Sequence, residues 1–532
     1  MRPVIALFAL SAMAIGALWA WLGAPVGMPE RPLGRGEKLY CVSYAPFRDW
    51  QSPLDPNIHI DPAQIEDDLS RLAKLTGCVR TYSIDQGLDR VPEIAGRHGL
   101  QVILGIWLGG KPEKNQVEID RAVTVANQYP GVVRAIVAGN EVLLRGELGA
   151  ADLAALIRSV KARVPMPVTY ADVWEFWLQN PALAQAVDFI TIHILPYWED
   201  FPIPARIAAD HVDSIRARVA QAFAGKEVLI GEVGWPSAGR MREGALPSPV
   251  NQARVLQEVL AASKRGQYRV NLIEAFDQPW KRALEGTVGG HWGLFDNKTR
   301  DFKFIWGEPV SNHPQWLWQA AGGIAFAGLI FLCAFSARRG QAPLAAWIAV
   351  AVIAGLSGAT IGWTIENIPR ESLGVGGWMR SLAQCAAAFA AGPLAAFALA
   401  SGRAVERFSY VLGDARAPNR DPVMLALTGS LIAVTILALM AALGLTFDPR
   451  YKDFPFAPLT GGVVPFFILC IFGAPAKGVH GVAELVSAAL LAVCVAYIAI
   501  NESFANWQSL WLCGVLAGLA VTLLCVRGEQ DS

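Results

Sequence analysis

The chain has 532 residues, of which 53% are hydrophobic and 17% charged, with a formal net charge of zero. Only 23 charged residues fall in the 219 residues from Pro314 to Ser532, whereas the other 67 fall in the first 313. This excludes a disordered, collagen-like or disulfide-dense chain, gives no reason to expect a nucleic-acid partner, and points to a globular domain joined to a membrane domain.

The first element is the apolar run Val4–Leu22, behind Arg2 and before Gly23-Ala24-Pro25. It is longer than the ~7–15 apolar residues of a signal peptide, so an uncleaved anchor is expected in preference to a cleaved leader. From about residue 38 to 280, short β-rich apolar runs alternate with amphipathic stretches. The predicted strands are Leu39–Ala45, Cys78–Ser83, Val102–Trp107, Val133–Gly139, Pro167–Ala171, Phe189–Ile194, Val228–Val233 and Val270–Phe276. Near-continuous runs such as QVILGIW suit a parallel sheet buried on both faces. The first intervening helix has Asp61 as cap, Pro62 in its first turn, an apolar face of Ile65, Leu69, Leu72 and Leu75, and Gly77 as its end. Eight strand–helix units in ~250 residues match a closed (β/α)8 barrel. An open doubly wound sheet has fewer strands, and no Gly-rich phosphate loop follows the first one.

Seven more apolar segments follow, at about 315–336, 343–364, 380–401, 422–445, 459–475, 481–500 and 505–526, of which 459–475 is short for a span of ~20 residues. The expected fold is therefore α/β, a (β/α)8 TIM barrel followed by an all-α multi-span transmembrane domain. The boundaries are 1–29 for the anchor or signal segment, 30–312 for the barrel and 313–532 for about seven helices. Arg338, Arg339, Arg403, Arg407, Arg416, Arg420, Lys477 and Arg527 fall in alternate loops, which sets both termini inside and the barrel outside; Arg370, Arg450 and Lys452 lie on the opposing side. Six cysteines fall in apolar segments. Cys41 and Cys78 fall in the first two strands, where buried unpaired thiols are expected over a disulfide. Glu366, Arg380 and Glu484 lie near span ends, where an interfacial role is expected over transport.

Barrel chemistry sits where strands end. Those positions hold Tyr44, Tyr82, Asp85, Trp107, Asn140, Glu141, Asp172, Trp174, His193, Tyr197, Glu232, Trp235, Glu274 and Asp277. Carboxylates interleaved with aromatics suit sugar chemistry, in which paired carboxyls act as acid, base or nucleophile and ring faces stack on sugars. A single strand-end Glu serves equally well as an ion-pair partner of Arg80, but Glu141 and Glu232 together, on the fourth and seventh strands, favour function. His193 is expected to be a satisfied core histidine. For Trp107, Trp174 and Trp235, sugar stacking is expected at least as much as core packing. Ser237 in GWPSAG lacks the GxSxG setting of a nucleophile elbow. No Cys/His cluster has metal-ligand spacing, so no metal is expected.

At VRTYSID (79–85), VILGIW (102–107), VAGNEVLLRG (137–146), PVTYADVW (167–174), IGEVGWPSAG (230–239), EAFDQPWK (274–281) and HWGLF (291–295), the sequence resembles glycoside hydrolase family 17, the β-1,3-glucanases and glucan transglycosylases. The resemblance covers about residues 38–305. It implies Glu141 as general acid/base, Glu232 as nucleophile, and Asn140 on the 2-hydroxyl of the reacting sugar. Arg80, Tyr82 and Glu274 are implied as supporting groups, with Tyr44 and Asp172 also assigned to substrate binding. Trp107, Trp174, Tyr197, Trp235, Phe276, Trp280 and Trp292 are implied as subsite walls. The sixth strand ends HILPYW, unlike the plant branch, and EAFDQPWK resembles the transglycosylating fungal and bacterial branch.

The whole chain resembles bacterial membrane-bound members linked to cyclic or branched β-glucans. That implies an inner-membrane protein with its barrel in the periplasm. Its expected partners are a β-glucan substrate and acceptor, the lipid bilayer and a membrane glucan synthase, with no nucleic acid and no cofactor. Retaining hydrolysis and transglycosylation both remain open, and a glucan-binding or export scaffold for a synthase is the alternative.

Overall fold

A computed structural model describes residues 2–338, 341–413, 421–473 and 479–526. By contacts the chain divides into two compact units. One comprises Val26–Ala238 and Gly244–Val310; the other comprises Met1–Pro25, Gly239–Glu243 and Ser311–Ser532.

The first unit is a closed barrel of eight parallel strands in sequential order: β1 (Cys41–Ser43), β2 (Cys78–Arg80), β3 (Gln101–Ile106), β4 (Val133–Asn140), β5 (Val168–Val173), β6 (Ile190–His193), β7 (Val228–Val233) and β8 (Val270–Leu272). β1 closes the barrel on β8 through Cys41 opposite Asn271 and Val42 opposite Leu272. The strands lie where the apolar runs place them, although β1, β2, β6 and β8 are shorter than predicted.

The helix Pro62–Leu72 starts as expected, with the Asp61 carboxylate accepting the Ala63 N–H at 2.8 Å. Ile65, Leu69 and Leu72 are buried. It stops one turn earlier than Gly77 suggests. Lys74 and Leu75 donate to Arg71 and Leu72 in tighter turns, and the Gly77 N–H already donates to the Leu39 carbonyl to start the pairing of β2.

Cys41 and Cys78 form a disulfide, contrary to the expectation of free thiols. The reason lies in the register. Val42 pairs with Val79, so the two cysteines are lateral neighbours on adjacent strands with Cα atoms 4.4 Å apart. Both are buried, beside Ile103, Val137 and Leu229.

In the second unit, seven helices among the described residues are long and apolar enough to cross a membrane: Arg2–Leu22, Trp316–Ala337, Leu344–Glu371, Gly374–Ser401, Pro422–Phe447, Val482–Asn501 and Trp507–Cys525. The remaining apolar segment is the shorter helix Phe456–Phe472, which contains Pro465. Small residues bring two helices together. A Cβ on Gly323 would meet the Gly358 carbonyl oxygen at 2.2 Å, and one on Gly358 the Gly323 carbonyl oxygen at 2.6 Å.

Glu366 is not a lone charge, being held by His313 Nδ1 at 2.8 Å, Gln319 Nε2 at 2.5 Å and Arg370 at 2.9 Å. Glu484, expected at an interface, is instead buried and accepts the Phe408 N–H at 2.6 Å. Arg339, Arg416, Arg420, Lys477 and Arg527, on which the expected orientation partly rests, lie outside the described residues.

Candidate active site

The parallel barrel delivers one polar side chain after another to the C-terminal end of its strands. Arg80 ends β2, Asn140 ends β4, His193 ends β6, and Glu232 is the penultimate residue of β7. Glu232 is nearly buried, with its side chain 6% exposed. The Arg80 guanidinium donates to Glu232 Oε1 at 2.7 Å and to the Gly231 carbonyl at 3.1 Å, and its other terminal nitrogen bonds Asn140 Oδ1. The Tyr82 hydroxyl donates to the same Glu232 oxygen at 2.9 Å. Burial alone would push this carboxyl up. The charges of His193, Arg80 and Lys281 and the Tyr82 bond outweigh burial and hold it below the ordinary carboxylate range.

Glu141 follows β4 in a different setting. Its side chain is 23% exposed, and its φ of 53° lies in the left-handed region that non-glycine residues rarely adopt. The conformation is imposed from both sides: Glu141 N–H donates to the Ala171 carbonyl at 2.7 Å, and the Arg145 N–H donates to the Glu141 carbonyl at 2.9 Å. Tyr170 and Asp172 brace the same turn. The Leu143 N–H donates to the Tyr170 hydroxyl at 3.0 Å, and that hydroxyl donates to Asp172.

His193 joins the two glutamates. Its Nδ1 lies 2.7 Å from Glu141 Oε1, and its Nε2 lies 3.6 Å from Glu232 Oε1. One ligand atom from each of Glu141, His193 and Glu232 lies within 4.8 Å of the others. This is the group among the described residues that could hold a metal ion. An ion there would occupy the lone pairs that acid–base or nucleophilic chemistry needs.

A second charge cluster backs the first. Glu274, just after β8, pairs with Lys281 Nζ at 3.0 and 3.1 Å. Burial pushes the Glu274 carboxyl up to about 7 although Lys281 pulls the other way. Burial opposes the charge on Lys281, but Glu274, Glu285 and Glu232 around it hold its ammonium above the ordinary value.

The structure thus brings Arg80, Tyr82, Asn140, Glu141, Glu232 and Glu274 together. It does not bring every candidate. Tyr44 is buried with its hydroxyl on Asp68 at 3.1 Å. Asp172 is buried and spends its carboxylate on Tyr170 and on the N–H of Val173, so it braces the Glu141 turn and is not available to a ligand. Tyr197, Trp235, Phe276 and Trp292 are core, contrary to their expected role as walls. Tyr197 sits edge-on to both Trp235 and Trp292, and Phe276 packs on Phe295. Large rings just past a strand end fold inward there because the loops after β7 and β8 need covering.

Trp107 is 44% exposed with Arg145 over its ring at 4.3 Å, and Trp174 and Trp280 are half-buried. Asp85 pairs with Arg121 and Asp277 with Lys303, away from the glutamate pair. Two members were missed. Lys281 ends the quoted segment EAFDQPWK, and a lysine seven residues after Glu274 was the available signal. His193 was discounted for being a single histidine, and only its partners on β4 and β7 mark it.

A closed eight-stranded α/β barrel holds two glutamates at the ends of β4 and β7, one buried among cations and one partly open, an arrangement that suits paired-carboxyl chemistry. The comparisons with known proteins fall on the same region. Residues 41–293 match the family model for the BtgE/BtgC glycoside hydrolase domain. A probable beta-glucosidase btgE of Aspergillus flavus is 30% identical over 228 residues, 41% of this chain and 36% of that protein. The chain thus spans about a third of that relative's length. A glucan 1,3-beta-glucosidase of Candida albicans is 26% identical over 264 residues, 44% of this chain and 84% of that protein. Among solved structures, a glycoside hydrolase family 17 beta-1,3-glucanosyltransferase from Rhizomucor miehei is 26% identical, covering 50% of this chain and 95% of its own, with a TM-score of 0.44. The barrel region is therefore similar to glycoside hydrolase domains of the family-17 kind.

Proposed function

We propose that the protein is a retaining β-1,3-glucan-active enzyme, hydrolase or transglycosylase, working through a covalent glucosyl-enzyme. The observation that carries this reading is the placement of Glu141 and Glu232 oxygens within 4.8 Å of each other. Retaining pairs stand at about 5–5.5 Å, whereas inverting pairs need about 6.5–9.5 Å to admit a water. The relatives' printed activities on 1,3-β-glucan supply the substrate class.

The chemistry follows from the two surroundings. Glu232, ionised among His193, Arg80 and Lys281, attacks the anomeric carbon, and Glu141 protonates the departing oxygen. Glu141 then takes the proton of the incoming hydroxyl, which attacks the anomeric carbon and frees Glu232. Water as acceptor gives hydrolysis; a glucan hydroxyl gives a new β-linkage. Asn140 has its oxygen engaged by Arg80, which leaves its amide nitrogen for the sugar 2-hydroxyl. Trp107, Trp174 and Trp280 are the remaining sugar-stacking walls. Glu274 and Lys281 set the charge behind the nucleophile. The reaction requires neither metal nor organic cofactor.

Residues 30–312 form the catalytic domain in this reading. The apolar helices anchor it in a bacterial inner membrane with the barrel in the periplasm, next to a glucan synthase whose product it remodels. Arginine-rich alternate loops and the disulfide, which suits an oxidising compartment, support that side.

The test is to incubate the full-length protein in detergent with β-1,3-gluco-oligosaccharides. Products are sized by mass spectrometry and their linkages read by NMR, with Glu232→Gln as blank. Longer or newly linked products identify a transferase and shorter ones alone a hydrolase. No change relative to the blank refutes both and leaves a glucan-binding scaffold.

A further inference from the structure

His193 is fully buried, and its Nε2 has no hydrogen-bond partner among the described residues. That is an uncommon state for a buried ring nitrogen. The ring is placed by its neighbours. On one side it pairs with β5, where Val173 is its register partner, and on the other with β7, where Glu232 is. Gly231 leaves the space open: a Cβ there would meet Thr191 Cγ2 at 2.3 Å and the His193 ring at 3.4 to 3.5 Å.

The charged and titratable groups that face the ring are Glu141 after β4, Asp172 from β5 and Glu232 from β7. Arg80 from β2 and Tyr82 stand beyond Glu232. His193 thus lies within 3.6 Å of both glutamates.

The negative charge of the double displacement does not stay on one glutamate. In the first step the glycosidic C–O bond breaks, the Glu232 oxygen bonds the anomeric carbon, and the proton of Glu141 leaves on the departing oxygen. The charge has then moved from Glu232 to Glu141. In the second step the acceptor's proton passes to Glu141, its oxygen replaces Glu232 on carbon, and the charge returns.

We propose that His193 is a positioning residue that serves both glutamates in turn, donating from Nδ1 to Glu141 and facing Glu232 with Nε2, so that the exchanged charge stays beside one donor throughout. This rests on the reading of Glu141 and Glu232 above. It has an atomic consequence: with Oε1 of Glu141 engaged by Nδ1, Oε2 is the oxygen that carries the moving proton. His193 neither gains nor loses a proton over the cycle.

The experiment compares two substrates of the full-length protein in detergent. Laminaritetraose needs protonation of its leaving group; β-laminaribiosyl fluoride needs little. A mis-aimed acid loses about 100-fold. His193→Phe is expected to lower kcat/KM on laminaritetraose by about that factor while the fluoride falls only a few-fold, with the acid limb of the fluoride's pH profile moved upward. His193→Asn, which keeps an N–H for Glu141 but none for Glu232, is expected to recover most of the laminaritetraose rate and none of the pH shift. If His193→Phe fails to fold, His193→Asn alone carries the test through its pH profile.

Equal losses on both substrates, or no change in either variant, would overturn the proposal and leave His193 as packing. Glu232→Gln serves as the separate control. If it still consumes the fluoride, it is the assignment of the nucleophile that fails.

Discussion

Replacing Arg80 by methionine tests the electrostatic argument without any substrate. The Arg80–Glu232 contact is 2.7 Å between side chains that are 1% and 6% exposed, so water screens it little. Charge centres about 4 Å apart interact by about 4 kcal/mol at an effective dielectric of 20. Removing one partner of such a pair destabilises by about 3–5 kcal/mol, because the other charge is left buried and unpaired.

The sign then depends on pH. In the native protein Glu232 is held below its ordinary value, so its contribution to stability is present above that value and lost as pH falls through the folded one. In Arg80→Met burial dominates and the carboxyl moves up. The favourable contribution is then present at low pH and lost as pH rises. Thermal unfolding of both proteins between pH 4 and 8 should show the deficit of Arg80→Met growing with pH. Adding Glu232→Gln should recover part of that deficit, because the neutral amide removes the stranded charge. A deficit that is flat with pH, or a double variant no more stable than Arg80→Met, would refute the account of how Glu232 is kept ionised.

Three further outcomes are expected. Reducing the Cys41–Cys78 disulfide, which closes a loop of 37 residues in sequence, should lower barrel stability by about 4 kcal/mol, read by denaturant unfolding of the protein with and without reductant. Glu274, pushed up to about 7, stabilises most below its unfolded value and loses that contribution as pH rises through 7; a spread of about 3 kcal/mol should vanish from the pH–stability curve of Glu274→Gln. Chelators should leave glucan turnover unchanged. Added zinc should inhibit by capturing Glu141, His193 and Glu232, and less so in His193→Phe; zinc-insensitive turnover would count against the open Nε2.

The barrel and the long apolar helices were legible because both rest on patterns that one chain carries alone: apolar runs of strand length between amphipathic helices, and apolar runs of spanning length. The glutamates were legible for a related reason. A carboxylate at a strand end has few neighbours in sequence that can neutralise it, so two of them on β4 and β7 stand out. What was not legible depends on lateral register. The pairing of Val42 with Val79 turns two strand cysteines into a disulfide, and no feature of either strand alone announces it. The same holds for the aromatics. Trp107 lies one residue past β3 and Trp235 two past β7, yet one is 44% exposed under Arg145 while the other is buried against Tyr197 with its indole N–H on the Leu246 carbonyl at 3.0 Å.

His193 shows where that leads for chemistry. The nearest charged residue in sequence is Asp188, five positions back, and the two groups that give the ring its meaning come from β4 and β7. A strand-end carboxylate declares its burial problem locally, through the cost of its own charge. A ring placed between two such carboxylates declares nothing until the barrel closes. The two strand-end carboxylates are therefore readable from the chain, while the ring between them is readable only from the fold.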